Sequence, residues 1–234
     1  MNKLRKILLC SILLGLISAS SPFDWLMPHP NPEKPGSSAW LEKEFQIIHS
    51  QASNLDEKIL RLSLTAYMHA REQGYDKKKL LTIIDYSKPS TEKRLWVFDI
   101  GRGKFLLNTW VSHGKNSGGI NARSFSNISG SLKSSIGVFI TDNAYIGGHG
   151  ISLRMKGLEK GVNDNAYNRN IVFHGATYVG ANVAKHLGRM GLSWGCPAVS
   201  PDTIKWLVDT IKGNTVVFAY YPDSNWLKKS KYLV

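Results

Sequence analysis

The chain has 234 residues, of which 42% are hydrophobic, enough for one domain with a packed core and too many for bulk disorder. Its formal net charge is +13, which favours a polyanionic environment such as nucleic acid, anionic lipid or a cell-wall polymer, or simply produces a solvated basic surface. No recognisable nucleic-acid-binding module accompanies this charge, so we predict no nucleic-acid partner.

Residues 1–21 are predicted to form a secretory signal peptide. The basic residues Lys3, Arg5 and Lys6 precede the apolar run Ile7–Ile17, and small residues follow. Because the run is short for a membrane span, we expect an exported protein of the periplasm or cell envelope. It would contact the membrane only if this segment stays uncleaved. The proline-rich stretch 22–38 then predicts an extended linker.

Residues 39–76 are predicted to form a helical segment packed on the domain that follows. Ala39–Ser50 has the pattern of one helix. Asn54 is placed to cap a second helix, whose apolar residues recur on one face until about Gly74. From residue 77 to residue 234 the pattern changes and predicts a second, mostly β region.

The strands of residues 77–234 are predicted from apolar and β-branched runs bounded by glycine-rich turns. They are Leu80–Tyr86, Arg94–Ile100, Lys104–His113, Ile136–Thr141, Asn170–His174 and Thr215–Tyr221. A polar loop, Gly114–Ser135, and a glycine turn, Gly147–Gly150, separate some of them. A short helix is predicted over Tyr178–Leu187, and Ser200 with Pro201 begins a helix that Gly213 ends. The chain is therefore predicted to be α+β overall and mainly β.

Cys196 is the candidate nucleophile. If the signal segment is removed together with Cys10, Cys196 is the only cysteine left. It lies in a glycine-bearing turn, Ser193-Trp194-Gly195-Cys196-Pro197, and His174 ends a predicted strand upstream. An imidazole can take the proton of a thiol, and main-chain N–H groups of the turn can stabilise an oxyanion. Since Pro197 has no N–H, these donors must come from Cys196 and the residues before it.

Two other interpretations of the same residues remain open. Cys196 can be a small buried hydrophobic side chain and His174 a hydrogen-bonded core histidine. Alternatively His113, His149 and His174, each followed by glycine, can join Cys196 in a metal site, although none shows the short ligand spacing of structural zinc sites. We predict no metal and no cofactor.

From about Leu80 to Tyr221 the chain resembles the L,D-transpeptidase catalytic domain (YkuD-type), and more closely its exported murein subfamily. The stretches that carry the resemblance are Arg94-Leu95-Trp96-Val97, Val111-Ser112-His113-Gly114, Ser124-Phe125-Ser126-Asn127, Gly157-Leu158-Glu159-Lys160-Gly161, Asn163-Asp164-Asn165-Ala166 and Ser193-Trp194-Gly195-Cys196-Pro197-Ala198. The resemblance implies a β-sandwich-like fold and a cysteinyl acyl-enzyme that crosslinks peptidoglycan stem peptides. Cys196 would be the nucleophile and His174 the base. The donor would be a tetrapeptide stem that loses its terminal D-alanine, and the acceptor a diaminopimelate amine.

The chain departs from the better-known branch of that family at two positions of the turn. That branch has His before the Gly-Cys and Arg two places after the Cys, where this chain has Trp194 and Ala198. An arginine there would hold a substrate carboxylate. We therefore predict substitute substrate-binding residues: Arg189 first and Arg154 second, with His149 and His113 able to line the site. Arg169 is a further candidate nearby in sequence.

Two further functions remain open beside transpeptidation. Water can replace the amine acceptor, which would make the protein an L,D-carboxypeptidase, or the domain can bind cell wall without catalysis. Trp194 is predicted to be either an apolar wall beside the nucleophile or ordinary core, and the loop Gly114–Ser135 a lid or groove. The sequence identifies neither the acceptor nor the oligomeric state.

Overall fold

The structure, a computed structural model, describes residues 34–234. The predicted signal peptide, and the predicted linker as far as residue 33, lie outside the described residues. Within 34–234 no helix is both long and apolar enough to span a lipid bilayer.

The described residues form five helices and eight strands. The helices are α1 Ser38–His49, α2 Glu57–Glu72, α3 Ala181–Leu187, α4 Pro201–Ile211 and α5 Ser224–Lys229. The strands are β1 Leu80–Asp85, β2 Leu95–Asp99, β3 Lys104–Thr109, β4 Gly137–Gly147, β5 Gly150–Gly157, β6 Val172–Gly175, β7 Ala198–Val199 and β8 Val216–Tyr220.

The strands lie in one mixed sheet with the order β3-β2-β1-β8-β4-β5-β6-β7. The pairs β1–β8 and β6–β7 are parallel, and the other neighbours are antiparallel. The neighbouring interior strands β1 and β8 are buried along their whole length, as expected for strands covered on both faces. The prediction of a mainly β domain with N-terminal helices and a helix after the nucleophile turn is confirmed.

The N-terminal helices pack on the half of the sheet that contains β1, β3 and β8. α1 begins after Ser37, whose side chain accepts a hydrogen bond from the Trp40 N–H. The predicted cap of α2 was wrong by two residues, because Asp56 accepts the Ile59 N–H. Asn54 instead accepts the indole N–H of Trp96 at 3.2 Å, which ties the connection to the sheet.

The largest difference from the predicted elements is the hairpin β4–β5. Only Ile136–Thr141 was predicted as strand, whereas β4 runs for 11 residues and β5, which was not predicted, returns beside it. β5 alternates buried Leu153 and Met155 with the more exposed Arg154 and Lys156. The prediction missed this period-2 pattern because the charged residues interrupt the apolar run. The hairpin carries the turn that contains His149 to the site described below.

α4 packs against β6, the strand that carries His174. Pro201 occupies its first turn and Ser200 precedes it as predicted. Four apolar residues of α4 are buried: Ile204, Leu207, Val208 and Ile211. A Cβ on Gly175 would lie 2.8 Å from Ile204, so glycine lets the helix approach the end of β6 closely.

Candidate active site

The nucleophile turn, residues 193–197, enters the edge strand β7. Gly195 has φ +127°, a conformation that side-chain-bearing residues rarely adopt. The Ser193 hydroxyl crosses the turn: it accepts the Gly195 N–H at 3.1 Å and donates to the Cys196 carbonyl at 2.6 Å. The turn is therefore closed by its own first residue.

The predicted loop Gly114–Ser135 holds this turn from one side. Gly114 pairs with Ser193, and the Ser134 hydroxyl donates to the Gly195 carbonyl at 2.9 Å. A Cβ on Gly114 would lie 2.4 Å from the Leu132 carbonyl oxygen. The loop is thus a fixed wall of the site at these points.

The hydrogen bond from Ser134 to the Gly195 carbonyl also fixes the direction in which the Cys196 N–H points. The Gly195 carbonyl points towards the buried Ser134, and the described chain has no cis peptide. In a trans peptide the N–H of the next residue points the opposite way. The Cys196 N–H is therefore directed away from Ser134, and within residues 34–234 it donates no hydrogen bond.

The Cys196 thiol lies against the chain that enters β6. Its Sγ is 3.4 Å from the Asn170 carbonyl oxygen. Burial raises the pKa of the Cys196 thiol, while the Val172 N–H and the charge of Arg169 act in the opposite direction. Because burial dominates, the resting group is a thiol rather than a thiolate.

His174 is on the strand that flanks the thiol. β6 and β7 run parallel with His174 opposite Ala198, so the chain around Val172, two residues earlier, meets the chain around Cys196. Nδ1 of His174 is 3.0 Å from the Gly175 carbonyl oxygen. A carbonyl only accepts, so Nδ1 carries the proton and Nε2 has a free lone pair. Burial lowers the pKa of His174, which keeps that lone pair available at neutral pH.

His149 reaches His174 from the tip of the β4–β5 hairpin. The two rings stack with centroids 4.5 Å apart and planes 26° apart. His149 is exposed, and its charge contributes to lowering the pKa of His174. The structure therefore places His149 beside His174, and its role in binding substrate stays a prediction.

His113 is separated from these two histidines. It is fully buried, with Nδ1 2.7 Å from an Arg94 nitrogen and Nε2 3.3 Å from the Gly118 carbonyl oxygen. Burial and the Arg94 charge lower the pKa of His113 to about 4. Because both ring nitrogens are used, its position does not support the predicted contact with substrate. Its main-chain carbonyl instead accepts the Ser193 N–H at 3.0 Å and so supports the turn.

The histidines therefore do not assemble the alternative metal site. Within residues 34–234 there is no group of three or more His, Cys, Asp or Glu side chains arranged to hold a metal ion. His113 faces Arg94, whereas His149 and His174 face each other.

The three candidate arginines occupy different positions. Arg154 donates to the Asn170 side chain at 3.3 Å, next to the carbonyl that receives the thiol. Arg189 donates to the Met190 carbonyl at 3.1 Å and contributes to lowering the pKa of His113. Arg169 lies close enough to Cys196 to lower its pKa. Arg154 thus contacts Asn170, the residue whose carbonyl receives the thiol, whereas Arg189, which was ranked first from the sequence, bonds to the Met190 carbonyl.

Sequence reasoning missed two groups that complete the site. Asn170 supplies the carbonyl beside the thiol, and no side-chain pattern reveals a main-chain contact. Tyr178 follows β6, and burial and the charge of Cys196 raise its pKa. Trp194, in contrast, was singled out: it is 75% exposed, so it is a surface residue of the nucleophile turn and not core.

The site therefore combines a thiol in a glycine turn, a main-chain N–H directed away from Ser134 and an imidazole with a free Nε2. These are the groups that catalysis by a thiol nucleophile requires. The chain belongs to the L,D-transpeptidase catalytic domain family, whose model matches residues 51–220. This match confirms the resemblance found in the sequence.

Solved structures of L,D-transpeptidases are distantly similar to this chain. A protein from Mycobacterium smegmatis is 14% identical with a TM-score of 0.38, and the match covers 61% of this chain and 59% of that one. L,D-transpeptidase 1 of Mycobacterium tuberculosis is 15% identical with a TM-score of 0.35, covering 61% and 62%. One from Stackebrandtia nassauensis is 13% identical with a TM-score of 0.38, covering 79% and 92%. No curated protein matches the chain.

Proposed function

We propose that this protein is an exported L,D-transpeptidase that crosslinks peptidoglycan stem peptides through a thioester on Cys196. The observation that carries the proposal is the placement of the thiol beside β6, in a turn whose Cys196 N–H is directed away from Ser134 and unpaired within the described residues. His174, on β6, supplies an unprotonated Nε2. The family membership supplies the substrate class.

The acylation step starts from an uncharged thiol and an uncharged imidazole. Sγ of Cys196 attacks the carbonyl carbon before the terminal D-alanine of a tetrapeptide stem, and its proton passes to Nε2 of His174. The Cys196 N–H donates to the developing oxyanion. The C–N bond then breaks, and the leaving amine of D-alanine takes the proton from His174. A thioester of the remaining tripeptide results.

The second step decides between transfer and hydrolysis. A diaminopimelate amine attacks the thioester carbon, His174 accepts one of its protons, and Cys196 leaves as thiolate and is reprotonated. If water attacks instead, the product is a free tripeptide. Trp194 favours the amine, because its exposed ring, in the same turn as the nucleophile, offers a surface on which an acceptor stem can be positioned.

The nucleophile is tested by intact-mass measurement after incubation with a carbapenem. The wild-type protein and the control Cys10→Ser should each gain the mass of one drug molecule, whereas Cys196→Ala should gain none. An adduct on Cys196→Ala would reject Cys196. No adduct on the folded wild-type protein would favour a non-catalytic cell-wall-binding domain.

Transfer and hydrolysis are distinguished with disaccharide-tetrapeptide as the sole substrate. Transfer yields dimers joined between two diaminopimelate residues, detected by mass spectrometry together with released D-alanine. If tripeptide is the only product even at high acceptor concentration, the enzyme is an L,D-carboxypeptidase.

The proposed export rests on the basic and apolar pattern of residues 1–21. It is tested by fractionating cells that produce the full chain and sequencing the N-terminus of the protein recovered. A cytoplasmic protein that retains Met1 or Asn2 would contradict export.

A further inference from the structure

Arg169 joins two loops beside the nucleophile turn. Its guanidinium donates four hydrogen bonds to residues of the segment 126–135. The acceptors are the Ser126 carbonyl at 2.5 Å, the Ser135 hydroxyl at 2.5 Å, the Ser131 hydroxyl at 3.2 Å and the Lys133 carbonyl at 2.7 Å. Such a set of acceptors fixes the planar guanidinium and the segment relative to each other.

All four acceptors are uncharged. The ion pairs of residues 34–234 do not include Arg169, although its side chain is partly buried. Burial lowers the pKa of Arg169, and the charge of Cys196 is the one ionisable influence that opposes this effect. A partly buried cation with no carboxylate partner is costly unless another anion forms nearby. The anion that the site can form is the Cys196 thiolate.

The segment held by Arg169 touches the nucleophile turn directly. A Cβ on Gly195 would lie 2.8 Å from the Lys133 carbonyl oxygen, and that same oxygen accepts a hydrogen bond from Arg169. Ser134, the next residue, donates to the Gly195 carbonyl. Arg169 is therefore linked to the turn through Lys133 and Ser134, and its charge also acts on Cys196.

We propose that Arg169 is a positioning residue that acts as the counter-ion of the Cys196 thiolate and holds the segment 131–135 against the nucleophile turn. Arg169 supplies this cation from a different segment of the chain, since Ala198 stands at the position two places after the cysteine where the better-known branch of the family has arginine. The proposal rests on the proposed function only in taking Cys196 as the nucleophile.

Other titratable or charged groups act on the thiol or contact its neighbours His174 and Asn170, and they must be separated from Arg169 in any test. They are Tyr86 at the end of β1, Tyr178 after β6, His174 on β6, His149 on the hairpin and Arg154 on β5. Burial raises the pKa of Tyr86 to about 12 and also raises the pKa of Tyr178, so both stay uncharged through neutral pH. The histidines are identical in all the variants compared below.

The test is the pH dependence of alkylation of Cys196 by iodoacetamide, in the full chain with Cys10→Ser so that one thiol remains. Arg169→Gln removes the charge and keeps a hydrogen-bond donor, whereas Arg169→Lys keeps the charge. An opposite charge lowers a thiol pKa by about 1–3 units. The Gln variant should therefore shift the midpoint upward by about one unit or more. Its rate at pH 7 should fall about threefold or more, because a thiol pKa one unit higher leaves about tenfold less thiolate, and the less acidic thiol gives a thiolate only about threefold more nucleophilic. Arg169→Lys should keep the alkylation midpoint close to the wild-type pH, because lysine keeps the positive charge.

The control for loop order is Ser131→Ala, which removes one acceptor of Arg169 and leaves the charge. It should keep the wild-type midpoint. Equal midpoints in the wild-type, Gln and Lys proteins would overturn the proposal. So would a shift in Ser131→Ala as large as that in Arg169→Gln, because loop order alone would then control the thiol. Alkylation needs no peptidoglycan, so a failure of transpeptidation with the expected midpoints rejects the proposed function and not the role of Arg169.

Discussion

At the scale of single residues, the thiol and the imidazole are both uncharged at rest. Burial raises the pKa of Cys196 and lowers that of His174, so neither group favours a preformed thiolate–imidazolium pair. In the proposed mechanism, attack by Cys196 then requires proton transfer to His174 during the reaction, so we expect the base to be indispensable. Arg169 counteracts part of the burial effect on the thiol.

Replacement of the two stacked histidines should have different consequences. Removal of a general base typically lowers a rate by about 10²–10⁴-fold, so His174→Ala should lose carbapenem acylation by that factor. His149→Ala should retain most of the rate. Because His149 lowers the pKa of His174, its loss should move the acid limb of the pH–rate profile to higher pH. Stopped-flow acylation rates between pH 5 and pH 8 measure both effects, with the exposed His186→Ala as control.

The opposite outcome would exchange the two roles. If His149→Ala lost acylation while His174→Ala kept it, the histidine on the hairpin would be the base. An acid limb that stays in place in His149→Ala would contradict the electrostatic influence of the stacked ring.

Arg154 is the arginine that we now expect to hold a substrate carboxylate. It lies beside Asn170, and its guanidinium is within about 5 Å of the Tyr145 and Tyr167 rings. One charge-assisted contact is worth about 1.5–3 kcal/mol. Arg154→Ala should therefore raise KM for a tetrapeptide stem by roughly tenfold to a hundredfold and change carbapenem acylation much less.

Two comparisons make the Arg154 result specific. Lys156→Ala, two residues along β5 and paired with Asp142 at 2.9 Å, should leave KM unchanged. If Arg189→Ala raised KM and Arg154→Ala did not, the order predicted from the sequence would be correct after all.

At the scale of elements, the nucleophile turn depends on contacts that glycine alone permits. Gly195→Ala places a side chain at φ +127° and 2.8 Å from the Lys133 carbonyl oxygen. The backbone strain alone costs about 1–3 kcal/mol. We expect lower stability in urea unfolding and an acylation rate reduced at least tenfold, because the Cys196 N–H moves with the turn.

Gly148→Ala is the matched control for that substitution. A Cβ at Gly148 meets nothing within 4 Å, so stability should change by no more than about 0.5 kcal/mol. A Gly195→Ala protein with wild-type stability and wild-type acylation would show that the turn tolerates a side chain.

The sequence alone predicted contacts between residues that are neighbours in the chain. It did not predict contacts between residues that are far apart in the chain. The turn, the hairpin at Gly101–Gly103 and the start of α4 at Pro201 follow from neighbouring residues. Arg169, in contrast, binds groups 34–43 residues away, and the pairing of β6 with β7 depends on the whole sheet. His113 was grouped with the site because it precedes a glycine, but its partner Arg94 is on another segment. Spacing along the chain carries no such information.

At the scale of the described residues, scaffold and site occupy different parts of one sheet. α1 and α2 pack on the half with β1, β3 and β8, whereas the thiol, His174 and His149 belong to β5, β6, β7 and their connections. Arg94 and His113 link the two parts: Arg94 donates to the carbonyls of Lys88 and Val111 and to His113, which in turn holds Ser193. This buried group therefore connects folding stability to the geometry of the turn.

The Arg94–His113 pair should make the protein unstable in acid. Burial and Arg94 lower the pKa of His113 from 6.5 to about 4, so between these values the unfolded chain binds a proton that the folded chain excludes. The contribution of His113 to the free energy of unfolding is therefore fully present above pH 6.5. It falls by up to about 3 kcal/mol as the pH falls towards 4.

The variant His113→Asn tests this expectation, because asparagine keeps an acceptor for Arg94 but has no titrating ring. Urea unfolding from pH 7.5 to pH 4 should therefore show a weaker pH dependence in this variant than in the wild type, while the other titrating groups cancel in the comparison. Parallel curves for the two proteins would mean that His113 is protonated in the folded state, and the described link between Arg94 and the turn would be incorrect.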